Sequence, residues 1–239
     1  MHVAFLYAIG TLALSGKMSV MAAPRTANVT DGAPSVTAAT SLASATSVPN
    51  AYVDPFFQNF TMVPNSYTGA FGPNGETLTF NGTIQEVMRQ VREINPGYDW
   101  DGTGGNGAAF KFKKPEWRDR HVSKKDCVGP DPRGVRQRYI QDGIKYLVNR
   151  KDMAMVDKTA CTRVSCSWDA AIFICYEPPT SSSSATYTNS WDYVAAYAQG
   201  IISEWCPKWY SPDTRSAFAV RGRVWAPDGL IVSVQYDDC

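Results

Sequence analysis

Six cysteines, all in the C-terminal half, constrain this chain more than any other feature of its sequence. An even number of cysteines in a chain that opens with an export signal is typical of a secreted domain held by disulfides. We therefore expect three disulfide bonds rather than a zinc site built from thiolates. The cysteines are Cys127, Cys161, Cys166, Cys175, Cys206 and Cys239.

The amino-terminal segment, residues 1–23, has the pattern of a secretory signal peptide. Its apolar run, residues 3–14, is too short to span a bilayer, and small residues near Ala22 and Ala23 suit a cleavage site. No later segment has the apolar length of a membrane helix, so we predict a secreted, extracellular protein without a membrane span.

Residues 24–50 are rich in Ala, Ser and Thr and have almost no large apolar side chains. Such a segment buries too little apolar surface to offset its ordering entropy, so we predict a disordered leader. Asn28, Asn59 and Asn81 each begin an Asn-x-Thr acceptor sequence, and we expect a glycoprotein.

Residues 51–125 read as a loop-rich extension with one helix. Apolar residues at helical spacing predict that helix from Thr83 to Ile94, with Thr83 as its cap and Glu86 completing a capping box. The basic stretch 111–125 is expected to be a solvated loop. The alternatives are a processing site at Lys113-Lys114 or Lys124-Lys125 and a polyanion-binding face.

Residues 126–239 have the clearest pattern and predict a disulfide-stapled α+β domain. Helical stripes cover 135–148 and 194–205, and the first stripe includes Gly143, whose missing side chain permits close packing on a sheet. A continuous apolar run at 170–174 predicts a buried central strand, while alternation at 218–224 and 230–236 predicts an antiparallel hairpin.

With a first strand near 121–127, the expected order is β-α-β-α-β-β. We predict a small antiparallel or mixed sheet with two helices on one face.

This expected topology also constrains the disulfides. Cys166 and Cys175 flank an extended strand, so they lie too far apart to bond. A first strand that ends at the same sheet edge as the central strand brings Cys127 to Cys175. The other four cysteines then pair among themselves, and we favour Cys161 and Cys166 each bonding to Cys206 or Cys239.

No residue pattern announces an active site. His121 is the sole histidine beyond the predicted signal peptide, which excludes sites with two histidine ligands, and the chain lacks a Gly-x-Ser-x-Gly elbow. Asp237 and Asp238 are adjacent in a strand and point to opposite faces. We therefore expect no catalytic residue, metal or cofactor; His121 with Glu116 as an acid-base pair is the alternative.

Tryptophan and arginine near the predicted hairpin suggest a binding site. Arg221, Arg223 and Trp225 lie together there, and these residue types are enriched at binding hot spots. The alternative is that the aromatic residues pack in the core. A net charge of +1 gives no strong attraction to nucleic acid or membranes.

The run from Cys161 to Cys175 resembles a pattern repeated in small secreted fungal proteins, in which Cys-x-x-Val-Ser-Cys-Ser-aromatic leads to an Ala-Ile run and another Cys. The stretches 190–199 and 232–239 are similar to the helix and the final Cys-ended strand of those proteins. These fungal proteins are described as killer-toxin-like effectors, and they resemble the virally encoded killer toxins of smut fungi.

The resemblance implies a secreted, non-enzymatic fungal effector or toxin-like protein. It implies binding, as a monomer, to an unidentified host or competitor-cell protein or surface target. The alternatives are a small secreted hydrolase of the ribonuclease type and a cell-wall carbohydrate-binding protein.

Overall fold

A six-stranded mixed sheet with three helices packed on one face organises this α+β protein. The computed structural model describes residues 54–100, 114–127, 133–148, 150, 152–210 and 218–239, which belong to one compact unit. The predicted signal peptide, the leader with Asn28, and Lys113 lie outside the described residues.

The strands are numbered in chain order, and the central sheet has the order β1-β7-β8-β13-β12-β4. Only β1 runs parallel to its neighbour β7; the other pairs of this sheet are antiparallel. A three-stranded sheet has the order β10-β11-β5, and two further sheets each pair two strands, β2 with β3 and β6 with β9. The bounds are β1 Thr61–Val63, β2 Ser66–Gly69, β3 Leu78–Asn81, β4 Lys124–Asp126, β5 Val135–Arg136, β6 Met153–Asp157, β7 Ala160–Ser167, β8 Ala170–Tyr176, β9 Thr186–Ser190, β10 Trp209–Tyr210, β11 Phe218–Val220, β12 Gly222–Trp225 and β13 Leu230–Tyr236.

The helices are α1 (Ile84–Ile94), α2 (Gln137–Leu147) and α3 (Trp191–Gly200), which continues into a π-helical turn at Ile201–Trp205. The predicted capping box of α1 is confirmed: Thr83 caps the backbone of Glu86, and the Glu86 carboxylate accepts from the Thr83 amide. Ser190 caps α3, and its hydroxyl accepts from the Tyr193 amide. A short 3₁₀ helix, Pro55–Asn59, precedes β1.

Gly143 lies where α2 crosses the sheet, as its position on the apolar stripe predicts. A Cβ atom at this position would lie 2.3 Å from Ser165 Oγ and 3.2 Å from Ile172 Cδ1. The missing side chain therefore allows α2 to approach β7 and β8 closely.

The predicted central strand is confirmed as β8, which is buried along its whole length. Ile172 and Ile174 face the helices, whereas Phe173 and Cys175 belong to a second apolar cluster on the opposite face. Burial on both faces explains the unbroken apolar run in the sequence.

Residues 218–224, expected as one strand, are divided between two sheets. The chain pairs as β11 in the three-stranded sheet, leaves it at Arg221, and continues as β12 beside β13. The expected hairpin is therefore confirmed only for β12 and β13, which are joined through a turn with Gly229 at φ 88°.

The predicted extension also takes part in the fold. Besides α1 it contributes β1, which pairs with β7, and β4, which pairs with β12. Lys124-Lys125, the candidate processing site, lies within β4. Among the described residues, no helix is long and apolar enough to cross a membrane.

Three disulfides are present: Cys127–Cys206, Cys161–Cys175 and Cys166–Cys239. The expected pairing of Cys127 with Cys175 is therefore wrong, and so is the assignment of Cys161 to Cys206 or Cys239; Cys166 has one of its two expected partners. The bonds place the folded unit in an oxidising environment.

Two features of the sheet explain the incorrect pairing. Residues 160–167 form their own strand, β7, which places Cys161 directly across from Cys175 with 4.0 Å between the Cα atoms. The second feature is strand direction: β4 runs opposite to β8, so Cys127 follows β4 at the sheet edge opposite to Cys175.

Candidate binding surface

The predicted binding residues Arg221 and Arg223 are buried rather than exposed. Their side chains are 4% and 5% exposed, and both guanidinium groups donate to Oδ2 of Asp54, Arg221 at 2.8 Å. Arg223 Nε also lies 3.8 Å from Asp126 Oδ2. These arginines hold residue 54 against the sheet, and the exposed basic surface expected at this end of the hairpin is not formed by them.

Trp225 is half-buried in the same region. Its ring contacts Phe56 edge-on at a centroid distance of 5.9 Å, and Lys124 Nζ lies 4.4 Å from its ring centroid. Phe57 packs on Phe173 at 4.9 Å. The 3₁₀ helix therefore covers the sheet face opposite the helices, and Trp225 contributes to that packing.

An exposed surface of a different kind lies at the turn between β7 and β8. Trp168 is 75% exposed, and its ring stacks on Tyr139 of α2 at 5.9 Å with 20° between the planes. The Arg138 guanidinium lies 4.6 Å and that of Arg136 5.9 Å from the centroid of the Tyr139 ring. We name Trp168, Tyr139, Arg136, Arg138 and Phe218 the aromatic–arginine surface.

The backbone at Trp168 is strained. Trp168 and Asp169 form a two-residue hairpin loop with φ of 51° and 58°. Turns of this kind favour Asn-Gly because both positions lie in the left-handed region, which is unfavourable for bulky side chains. A tryptophan held there costs of order 1–3 kcal/mol, and such strain is found most often at functional positions.

Arg136 and Arg138, whose guanidinium groups lie near the Tyr139 ring, also line an open groove of about 350 Å³. Phe218, 65% exposed on β11, forms one wall. Arg136 is paired in β5 with Ala219 of β11, which fixes the two walls relative to one another. The lining residues are Arg136, Gln137, Arg138, Gln141 and Phe218.

No described acidic residue neutralises the two arginines of the groove. Within the described ranges, neither Arg136 nor Arg138 forms an ion pair with a carboxylate. Arg138 instead donates to Tyr139 Oη at 2.6 Å, and this hydrogen bond lowers the pKa of the Tyr139 hydroxyl. The surface therefore presents positive charge next to a flat aromatic ring.

Covalent and packing constraints hold this surface in place. Cys166, two residues before Trp168, is bonded to Cys239, with 5.5 Å between the Cα atoms. Gln85 of α1 accepts from the Cys166 amide at 3.0 Å. The sequence analysis named no role for Trp168, which lies within the run from Cys161 to Cys175. The signal for its hairpin position is a pair of strand-like stretches separated by two residues.

Among the described residues, no hydrogen bond or ion pair joins His121 to Glu116. His121 and Glu116 are exposed, and Glu116 Oε1 accepts from the Arg118 amide at 3.4 Å. Asp237 pairs with Arg163 at 2.6 Å, while Asp238 accepts from Tyr236 at 3.0 Å. In the part of the chain that the structure describes, no group of three or more metal-ligating side chains occurs.

A second polar cluster lies near the turn between β12 and β13. Tyr187 Oη donates to Asp228 Oδ2 at 3.0 Å and accepts from Asn189 Nδ2 at 3.0 Å. Tyr193 and Tyr197 join their hydroxyls at 3.3 Å. Burial, aided by Asp228, raises the pKa of both Tyr187 and Tyr193, so these hydroxyls stay protonated.

These tyrosines predict a loss of stability at alkaline pH. Above the ordinary tyrosine pKa of 10.0, the unfolded chain loses protons that the folded chain still holds. The free energy of unfolding should therefore fall as pH rises beyond about 10. Urea unfolding across this range should show a shallower fall for Tyr187→Phe, while Tyr146→Phe, an exposed residue outside the cluster, controls for a lost hydroxyl. An equally steep fall in Tyr187→Phe would contradict this explanation.

The described acceptor asparagines, Asn59 and Asn81, are both exposed. Comparison with protein-family models, with curated proteins and with solved structures gives no match for this chain. The function is therefore inferred from the residues of the aromatic–arginine surface.

Proposed function

We propose that this protein is a secreted fungal effector or toxin-like protein that acts by binding a host or competitor-cell target. The observation that carries the proposal is Trp168, which is 75% exposed on a strained turn. An exposed tryptophan contributes little to folding there, so a role in binding explains why the strain is retained.

The composition of the aromatic–arginine surface supports a binding role. Trp, Tyr and Arg dominate hot spots because they combine large contact area with directed polar groups. Tyr139 connects the other two residues: it stacks with Trp168 and accepts a hydrogen bond from Arg138. A preassembled cluster of this kind loses little side-chain entropy on binding.

Secretion is part of the proposal and is supported by the disulfides together with the predicted signal peptide. Three disulfides suit an extracellular protein. The disulfides also restrict unfolding outside the cell, where an unfolded chain would be open to proteases.

The test is binding of labelled, purified protein to plant tissue and to competitor microbes, together with the response of those cells. Trp168→Ala should weaken cell binding by about tenfold or more, the range expected for a hot-spot aromatic. Arg138→Ala should weaken it as well.

Met155→Ala is the matched control, since Met155 is 58% exposed on β6 and lies outside the surface. His121→Ala should also retain activity. Full activity of the Trp168 variant would disprove the proposed surface, whereas loss of activity in a folded His121 variant would favour the ribonuclease alternative.

A further inference from the structure

From the aromatic–arginine surface we infer its ligand class: an acidic polysaccharide that carries carboxylates on its sugar rings. This inference rests on the proposed function, because it names the chemistry of the target that the same surface binds. It combines two features of the site, an exposed aromatic face and arginines that form no ion pair with any carboxylate among the described residues.

The exposed face of Trp168 suits a sugar ring. Tyr139 stacks on the tryptophan and supports its orientation, while 75% of the residue remains exposed. The C–H groups on one face of a pyranose carry partial positive charge and pack against the negative face of an aromatic ring. A flat ring fixed in solvent is the geometry that such stacking requires.

The groove lined by Arg136 and Arg138 suits carboxylates. Arg136 and Arg138 lack ion-pair partners among the described residues, and a guanidinium binds a carboxylate through two parallel hydrogen bonds. Gln141 Nε2 donates to Gln199 Oε1 at 2.8 Å, which leaves the Gln141 oxygen as an acceptor. Gln137 adds another amide, and amides hydrogen-bond sugar hydroxyls as donors and acceptors.

Charge distribution favours a polyuronate over a nucleic acid. The net charge is +1 and the isoelectric point about 7.5, whereas nucleic-acid-binding domains typically have a strongly basic face. Among the residues described, the basic side chains Arg118, Arg163 and Arg150 are already paired with acids.

The lining of the groove is mostly polar: Phe218 lies beside two arginines and two glutamines. Such a lining suits the hydroxyls and carboxylates of a polyuronate.

The test is calorimetric titration of the full-length secreted protein with an oligogalacturonate, its methyl-esterified form and a single-stranded oligonucleotide of equal charge. The esterified form keeps the sugar rings but lacks the carboxylates. We expect binding of the acid, weakening with added salt, and at least tenfold weaker binding of the ester.

Trp168→Ala and Arg138→Ala should each reduce binding of the acid by about tenfold. Arg92→Ala, which removes one exposed arginine from α1, should not change it. Equal binding of acid and ester would overturn the role of the arginines. Tighter binding of the oligonucleotide, lost in the same variants, would replace the polyuronate by a nucleic acid.

The outcomes separate this inference from the proposed function. If Trp168→Ala abolishes cell binding but oligogalacturonate does not bind, the ligand class is wrong and the binding surface stands. If oligogalacturonate binds as expected but Trp168→Ala binds cells as well as the unchanged protein does, the ligand class is supported and the proposed function is wrong.

Discussion

Replacing Asp54 by Ala is expected to lower the free energy of unfolding by about 3–5 kcal/mol, a large part of the total for a domain of this size. Asp54 is 5% exposed and accepts hydrogen bonds from both Arg221 and Arg223. Removing it takes away the buried carboxylate that the two buried guanidinium groups share. Urea unfolding followed by circular dichroism measures the change.

Two variants separate the lost charge from other effects. Asp54 Oδ1 also accepts from the Phe56 amide at 3.0 Å, and Asp54→Asn retains this cap while removing the charge. Glu93→Ala breaks the exposed pair with Arg89 and should cost less than about 1 kcal/mol. If Asp54→Ala were no less stable than Glu93→Ala, the buried ion pairs of Asp54 with Arg221 and Arg223 would not have the importance assigned to them.

Replacing Cys166 and Cys239 together by Ser should cost roughly 4 kcal/mol. The bond joins residues 73 positions apart, and in the chain-entropy model a closed loop of this length restricts the unfolded chain strongly. The loss should be accompanied by weaker ligand binding, because Cys166 lies two residues before Trp168. Thermal unfolding of the double variant, with and without reductant, provides the measurement.

Peptide mapping without reduction is the control for connectivity. It should join Cys127 to Cys206, Cys161 to Cys175 and Cys166 to Cys239. A double variant with unchanged stability, or a map that joins Cys166 to another cysteine, would be incompatible with the disulfide arrangement described above.

Features set by local sequence were predictable. Thr83 and Glu86 lie three residues apart, so the capping box is readable without knowledge of the rest of the chain. Gly143 on an apolar stripe indicated close packing, and the run at 170–174 indicated a buried strand. Each of these signals depends on periodicity or spacing within one element.

Features set by distant pairing were not predictable. The direction of β4 depends on its partner β12, about 100 residues further along the chain, and this direction decided where Cys127 lies. The roles of Arg221 and Arg223 depend on Asp54, which no local pattern links to them. Trp168 belongs to the motif from Cys161 to Cys175, but its exposure follows from the hairpin that β7 forms with β8.

The long separation between Asp54 and its arginines has a consequence for biosynthesis. Arg221 follows Asp54 by 167 residues, so the 3₁₀ helix cannot form this ion pair until the chain has been translated beyond Arg221. Thr83, the third residue of the Asn81 acceptor sequence, is only 3% exposed once α1 is packed. If Asn81 is glycosylated as the sequence predicts, the sugar must be attached before Thr83 is buried. Asn59 and Thr61 are exposed in the folded protein, so sugar attachment at Asn59 has no such time limit.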